Sequence, residues 1–294
     1  MARTVFTGVY VPLATPFHND GSLNADGLKR LIDWVIENGA NGIVPCGTTG
    51  ESATLTHEEH HRVISLSVEY AAGRVPVIAG TGSNSTAEAI NLTVAADETG
   101  VDGMLIIAPY YNRPGQQGII EHFKAVAAAT KKPIIMYNIP KRTGVNMEAA
   151  TTIELAKVEN ITGIKEASGD LGQIMQIING TEDFSVLTGD DNLLFPLVAL
   201  GGHGGICTSA HFLPSEWVRL VNLVKESKID EARALHYRLL PIAKALFCEP
   251  NPTPLKAALN LVGMEVGNPR LPMLPASDAC KAKLRDALAG LGMI

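Results

Sequence analysis

The chain has 294 residues, 46% hydrophobic, 18% charged and 5% aromatic, with a formal net charge of -6 at pH 7. That length suits one large barrel better than two ordinary domains. The composition excludes a disordered chain, and the negative balance argues against a nucleic-acid or anionic-membrane partner, since both demand basic surface.

Taken in chain order, residues 9–14 read as a first strand that ends at Thr15-Pro16, before a turn at Asn19-Asp20-Gly21. Leu28, Leu31, Ile32, Val35 and Ile36 then fall on one face of a helix that stops near Asn38-Gly39. The alternation continues, with strands expected at 42–46, 76–80, 103–108, 133–137, 161–165, 185–188 and 205–208. Helices between them are expected at 56–72, 86–99, 118–129, 147–157, 171–178 and 193–200. After Pro214 the chain reads as helices alone, with Trp217, Leu220, Val221 and Val224 on one face, followed by 229–247, 254–262 and 277–291. Strands separated by helices predict an α/β fold, a (β/α)8 barrel over residues 1–225 with a helical C-terminal extension over 226–294. The alternative is an open doubly wound sheet, but no G-x-G-x-x-G follows the first strand. Cys46, Cys207, Cys248 and Cys280 lie far apart without a C-x-x-C pair, which suggests neither a zinc cluster nor a disulfide framework and fits a reduced compartment. With no secretory h-region and no run of 18 uninterrupted apolar residues, the expected location is cytoplasmic, without a membrane partner.

Active sites of such barrels sit at the C-terminal ends of the strands. Lys165 ends the sixth strand in Ile161-Thr-Gly-Ile-Lys-Glu-Ala-Ser-Gly169. A lysine there loses hydration, which favours the neutral amine, a nucleophile toward ketones that forms a Schiff base. The plain alternative is a solvated surface lysine. The second strand runs into Gly47-Thr48-Thr49-Gly50-Glu51, whose exposed N–H groups and hydroxyls can cradle a carboxylate, or which is simply a Gly-rich turn. Three of the six tyrosines, Tyr110, Tyr111 and Tyr137, fall at the ends of strands four and five, where phenols can relay protons. Arg142 follows, either a planar fork for a second carboxylate or a surface arginine. Strands seven and eight are read as ending in Gly189-Asp190-Asp191 and Gly201-Gly202-His203-Gly204-Gly205-Ile206, with the aspartates solvated and the glycines letting backbone approach a ligand. No spacing marks a metal site.

Gly47-Thr48-Thr49-Gly50-Glu51, Tyr110-Tyr111-Asn112, Tyr137-Asn138-x-Pro140-x-Arg142-Thr143-Gly144, Gly163-Ile164-Lys165-Glu166-Ala167, Gly201-Gly202-His203-Gly204 and Glu249-Pro250-Asn251-Pro252 together resemble the dihydrodipicolinate synthase family, nearly end to end. The resemblance implies a cofactor-free condensation of pyruvate with L-aspartate 4-semialdehyde on the route to diaminopimelate and lysine. It implies Lys165 as the Schiff-base lysine, and Tyr137 as general acid/base in a relay with Thr48 and with Tyr111 from a neighbouring subunit. Thr48 and Thr49 would hold the pyruvate carboxylate and Arg142 that of the semialdehyde, while Gly189 and Ile206 would offer backbone carbonyls. A homotetramer built as a dimer of dimers is the assembly implied. One departure, Cys207-Thr208-Ser209-Ala210-His211 after the eighth strand, is read as touching the rim of the mouth. Sister pyruvate lyases acting on sugar acids share most of these residues, and Arg142 is the discriminator. A silent binding barrel is the rival from another class.

Thr56-x-x-Glu59 and Ser85-x-x-Glu88 read as capping boxes opening two helices, with His57 and His60 as solvated first-turn residues. The resemblance offers another role, because Ser52, Ala53, His57, His60, Asn84, Glu88 and Tyr110 match positions that surround L-lysine in lysine-regulated members of the family.

Overall fold

The computed structural model describes residues 6–294, and its eight strands form one parallel sheet. They are β1 (Gly8–Pro12), β2 (Gly42–Val44), β3 (Ile78–Gly80), β4 (Gly103–Ile107), β5 (Ile134–Asn138), β6 (Ile161–Glu166), β7 (Ser185–Thr188) and β8 (Gly204–Ile206). The order is β2-β1-β8-β7-β6-β5-β4-β3, and a parallel bridge between Ile43 and Val77 brings the two ends together. The sheet is therefore the expected barrel and not an open doubly wound layer.

Alternation along each strand divides the apolar side chains between two cores. Tyr10, Val44, Ile78, Leu105, Ile135, Tyr137, Leu187 and Ile206 meet inside the barrel. Val9, Val11, Ile43, Ala79, Met104, Ile106, Ile134, Met136, Ile164 and Val186 belong to the outer core that the helices cover. Burial on both faces explains why these strands read as continuous apolar runs.

The helices are α1 (Ala25–Glu37), α2 (His57–Ala71), α3 (Thr86–Asp97), α4 (Gln116–Ala127), α5 (Pro140–Thr143), α6 (Ala149–Leu155), α7 (Leu171–Gly180), α8 (Leu194–Ala199) and α9 (Pro214–Lys225). After them come α10 (Ile229–Ala245), α11 (Thr253–Leu261) and α12 (Asp278–Gly290), with α12 packed against both α10 and α11. In α1 the predicted face is buried at Leu28, Leu31, Ile32 and Val35, and the Asn24 side chain caps the helix by accepting from the Gly27 N–H. The Thr56–Glu59 capping box is complete. Its counterpart is half made, because Ser85 accepts from the Glu88 N–H while the Glu88 carboxylate turns to Ser83 and His57.

One expectation changes. Strand β8 is only three residues long, so Gly201, Gly202 and His203 precede it and lie at its N-terminal end, away from the mouth. Their neighbour Gly204 serves packing instead: at φ +145° it lies against β1, where a Cβ would collide with the Gly8 carbonyl. Cys248 and Cys280, remote in sequence, bring free sulfurs to 3.0 Å. Among the described residues no helix is long and apolar enough to cross a membrane.

Gly204→Ala is expected to cost roughly 3 kcal/mol or more, because the new methyl must push β1 and β8 apart in a closed sheet. Thermal unfolding checks this, and a midpoint equal to wild type would show slack between those strands.

Candidate active site

Strands β5 and β6 pair Tyr137 with Lys165 directly, and β6 and β7 pair Lys165 with Leu187. Both polar side chains thus occupy inward positions, Tyr137 5% and Lys165 6% exposed. The Lys165 ammonium lies 4.2 Å from the centroid of the Tyr137 ring, a cation–π contact beside the apolar cluster of the barrel interior. Gly189, at the end of β7, leaves the lysine its path: a Cβ there would stand 2.8 Å from both Lys165 Cε and Ala167 Cβ. Ile206 points into the same interior from β8.

The turn after β2 carries the two threonines. Thr49 is buried, its Oγ1 accepting from Asn251 Nδ2 at 3.0 Å, and Thr15 Oγ1 donates to the Gly50 carbonyl at 2.6 Å. Arg142 sits in α5, a single turn opened by Pro140 and closed by Gly144 at φ +76°. Its Nη2 donates to the Asn251 carbonyl at 3.0 Å. Asn251 therefore touches the threonine cradle with its side chain and the arginine with its backbone. Sequence reasoning quoted the Glu249-Pro250-Asn251-Pro252 motif without giving Asn251 a task, since the contact links segments remote in the chain.

Thr48, Tyr137 and Arg142 line one cavity of about 530 Å³. The same cavity continues past Ser52, Ala53, His57, His60, Glu88 and Tyr110, so the mouth and the expected effector residues share one open space. Within it Glu88 accepts from Ser83 and lies 3.0 Å from His57 Nε2, and the Ser83 hydrogen bond, then the His57 contact, hold its carboxyl below the usual range. His57 is exposed, but His60 is buried, contrary to the solvated reading. Its Nε2 meets the Gly80 carbonyl at 2.9 Å, and desolvation lowers its pKa, leaving it neutral near pH 7. The Asn84 carbonyl accepts from Asn112 at 2.9 Å. Tyr111 is not gathered with the others: it is 88% exposed at φ +69°.

The aspartates after β7 also differ from expectation. Asp191 is buried, accepting from the Thr208 N–H, the Ser209 N–H and Ser209 Oγ at 3.1, 2.6 and 2.5 Å. Burial pushes its carboxyl up while the Ser209 contacts oppose. The stretch from Cys207 to His211 is thus buried wall and not rim. His211 Nδ1 lies 2.7 Å from the Thr208 carbonyl and Nε2 accepts from the Ala14 N–H, and desolvation takes its pKa to about 4, a neutral structural imidazole. Among the described residues no group of His, Cys, Asp or Glu could hold a metal ion.

The chain matches the dihydrodipicolinate synthetase family model over residues 5–290. It is 50% identical over 291 residues to a 4-hydroxy-tetrahydrodipicolinate synthase of Syntrophus aciditrophicus, covering 99% of this chain and 100% of that one. Identity to the enzyme of the same name from Methanosarcina barkeri is 48% over 292 residues, with coverage of 99% and 100%. The solved structure of a Cyanidioschyzon merolae dihydrodipicolinate synthase with lysine bound superposes with a TM-score of 0.97 at 42% identity, covering 98% of this chain and 99% of that one. Likeness over the whole length, in backbone as in sequence, makes this chain a member of the dihydrodipicolinate synthetase family.

Proposed function

We propose that the chain is a 4-hydroxy-tetrahydrodipicolinate synthase, a lyase of lysine and diaminopimelate biosynthesis, and that its chemistry runs through an imine on Lys165. The observation that carries this reading is the pairing of Lys165 with Tyr137 on adjacent inward positions of β5 and β6. The Lys165 ammonium passes a proton to the relay and its amine attacks C2 of pyruvate; the relay returns that proton to the carbinolamine hydroxyl, which leaves as water, and the resulting protonated imine draws electrons from the methyl carbon. Tyr137 takes the methyl proton, giving an enamine whose carbon attacks the aldehyde of L-aspartate 4-semialdehyde. Attack by the semialdehyde's own amine on the imine carbon then closes the ring and releases Lys165. Thr48 and Thr49 hold the pyruvate carboxylate, Arg142 holds the second carboxylate, and the Gly189 and Ile206 backbone borders the reacting atoms.

The exposure of Tyr111 supports a relay shared between copies, with its phenol entering the site of a second subunit in a dimer of dimers. Residues 1–225 then form the catalytic barrel and 226–294 an extension that braces its mouth, in a cytoplasmic enzyme. The lysine-bound relative supports L-lysine as effector, and the resemblance puts its site at Ser52, Ala53, His57, His60, Asn84, Glu88 and Tyr110. Glu88 meets the effector's cationic amine, while Asn84 and Tyr110 bond its carboxylate.

Borohydride reduction in the presence of pyruvate is expected to leave one adduct, on Lys165, and none in Lys165→Ala; an adduct elsewhere overturns the assignment. Arg142→Ala is expected to raise KM for the semialdehyde roughly ten- to a hundredfold, the loss of a charge-assisted pair, with pyruvate trapping retained. Equal loss for both substrates would make the arginine structural, and preference for a sugar-acid aldehyde would move the enzyme to a sister lyase. Glu88→Ala is expected to abolish inhibition by L-lysine while keeping most activity; inhibition that survives would return Glu88 to helix capping alone.

A further inference from the structure

Glu51 closes the threonine turn in the left-handed region, at φ +56°, a conformation that favours glycine. Its N–H donates to the Thr48 carbonyl at 3.2 Å, and the Ser52 N–H reaches back to the Gly47 carbonyl at 3.4 Å. Something must hold the side chain to keep this backbone in place. Glu51 Oε1 lies 2.5 Å from the Lys256 ammonium, and Oε2 accepts from the Arg270 N–H at 2.9 Å. Lys256 comes from α11, its side chain 1% exposed and that of Glu51 3%. Its Nζ also donates to the Asn268 carbonyl at 3.2 Å and stands 4.1 Å from the Phe17 ring centroid, while the Arg270 guanidinium lies over the same ring at 4.2 Å.

We propose that Lys256 is a positioning residue for the pyruvate site: by pairing with Glu51 it fixes the turn that aims Thr48 and Thr49, and it neutralises a carboxylate that would otherwise repel pyruvate's own. The proposal rests on the reading of those threonines as the pyruvate cradle. A buried ion pair is a weak source of stability compared with apolar side chains of the same volume, yet removal of one partner strands a charge. Its presence beside an anion cradle is explained by geometry and charge balance there. The charged groups facing Lys256 Nζ are Glu51 from the turn after β2 and Arg270 from the segment after α11. Desolvation lowers the ammonium from 10.5 to about 8, with Glu51 opposing. The charged pair is therefore intact below about pH 8 and is lost as pH rises through that value.

The test is steady-state kinetics of the full chain with both substrates, from about pH 7 to about pH 9, on wild type, Lys256→Arg, Lys256→Met and the double variant Glu51→Gln/Lys256→Met. Lys256→Met is expected to raise KM for pyruvate about tenfold or more with a smaller change in KM for the semialdehyde, and the double variant to recover most of that loss. In wild type KM for pyruvate is expected to rise above about pH 8, and Lys256→Arg, whose guanidinium does not titrate there, to flatten that rise. If Lys256→Met fails to fold, the Arg and double variants carry the test alone. The proposal is overturned if a folded Lys256→Met keeps the wild-type pyruvate KM, if both substrates lose equally, or if Lys256→Arg retains the full alkaline rise. Absence of a pyruvate adduct on wild-type Lys165 would instead strike the assigned function, so the two failures are separable.

Discussion

Strand β6 sets neighbouring residues on opposite faces, and that alternation organises the site. Lys165 faces into the barrel beside the Tyr137 ring and the apolar set of Ile135, Leu187 and Ile206, and its charge acts on the carboxyls of Asp190 and Asp191, opposing the upward push of their burial. Glu166, one residue on, is buried outside the barrel and accepts from Asn138 Nδ2, the Ser168 N–H and Gln173 Nε2 at 3.0, 2.7 and 3.1 Å. Burial raises the Glu166 carboxyl while the Ser168, Asn138 and Gln173 hydrogen bonds oppose. Asn138 directly follows Tyr137, so the outward neighbours of the two inward residues are bonded to each other. The hydrogen bonds of Glu166 thus tie β5 to β6 from behind the strands that carry the phenol and the amine.

The mouth is assembled differently, from turns that belong to distant parts of the chain. Asn251 joins Thr49 to Arg142, so the two expected carboxylate sites share one support. Glu88 and Tyr110 line the same cavity as Thr48, Tyr137 and Arg142. An effector bound at Glu88, as proposed, would compete with the contacts from Ser83 and His57, and Tyr110 precedes the residue proposed to complete the relay. On the proposed reading, two sites lining one cavity and adjoining tyrosines give a physical route for coupling, which by linkage acts in both directions.

Local pattern made the barrel legible because helix and strand periods differ and the strands are apolar on both faces. It also marked Lys165 and Tyr137, polar residues near strand ends where they interrupt apolar runs, and Arg142 in the short turn of helix that follows β5. What it missed depends on partners far along the chain. Asp191 reads as a turn acid until Ser209 folds onto it, and His60 reads as a first-turn residue until the Gly80 carbonyl arrives. Gly201 to Gly205 read as a mouth because glycine signals a loop, whereas β8 begins at a glycine chosen for its contact with β1. The Lys256–Glu51 pair leaves no local signal at all: a lysine in a helix and a glutamate after a glycine are each ordinary until the fold buries them together.

Tyr111 presents the reverse case, a residue whose place within its own chain has no internal explanation. A tyrosine ring is large and mostly apolar, and leaving it 88% exposed forgoes the burial that such a ring ordinarily brings. Its backbone is also left-handed, at φ +69°, a conformation uncommon outside glycine, asparagine and aspartate. The Tyr111 N–H donates to the Thr143 carbonyl, which fixes the turn against α5 and directs it deliberately outward. A hydrogen-bonded turn beneath an exposed aromatic supports the proposed role of Tyr111 at an interface between copies. On the proposed reading the single chain thus holds nucleophile, base and both carboxylate sites, while the last member of the relay is held out for another copy. Assembly then completes the proton path, so catalysis depends on protomer association as well as on the fold of each chain.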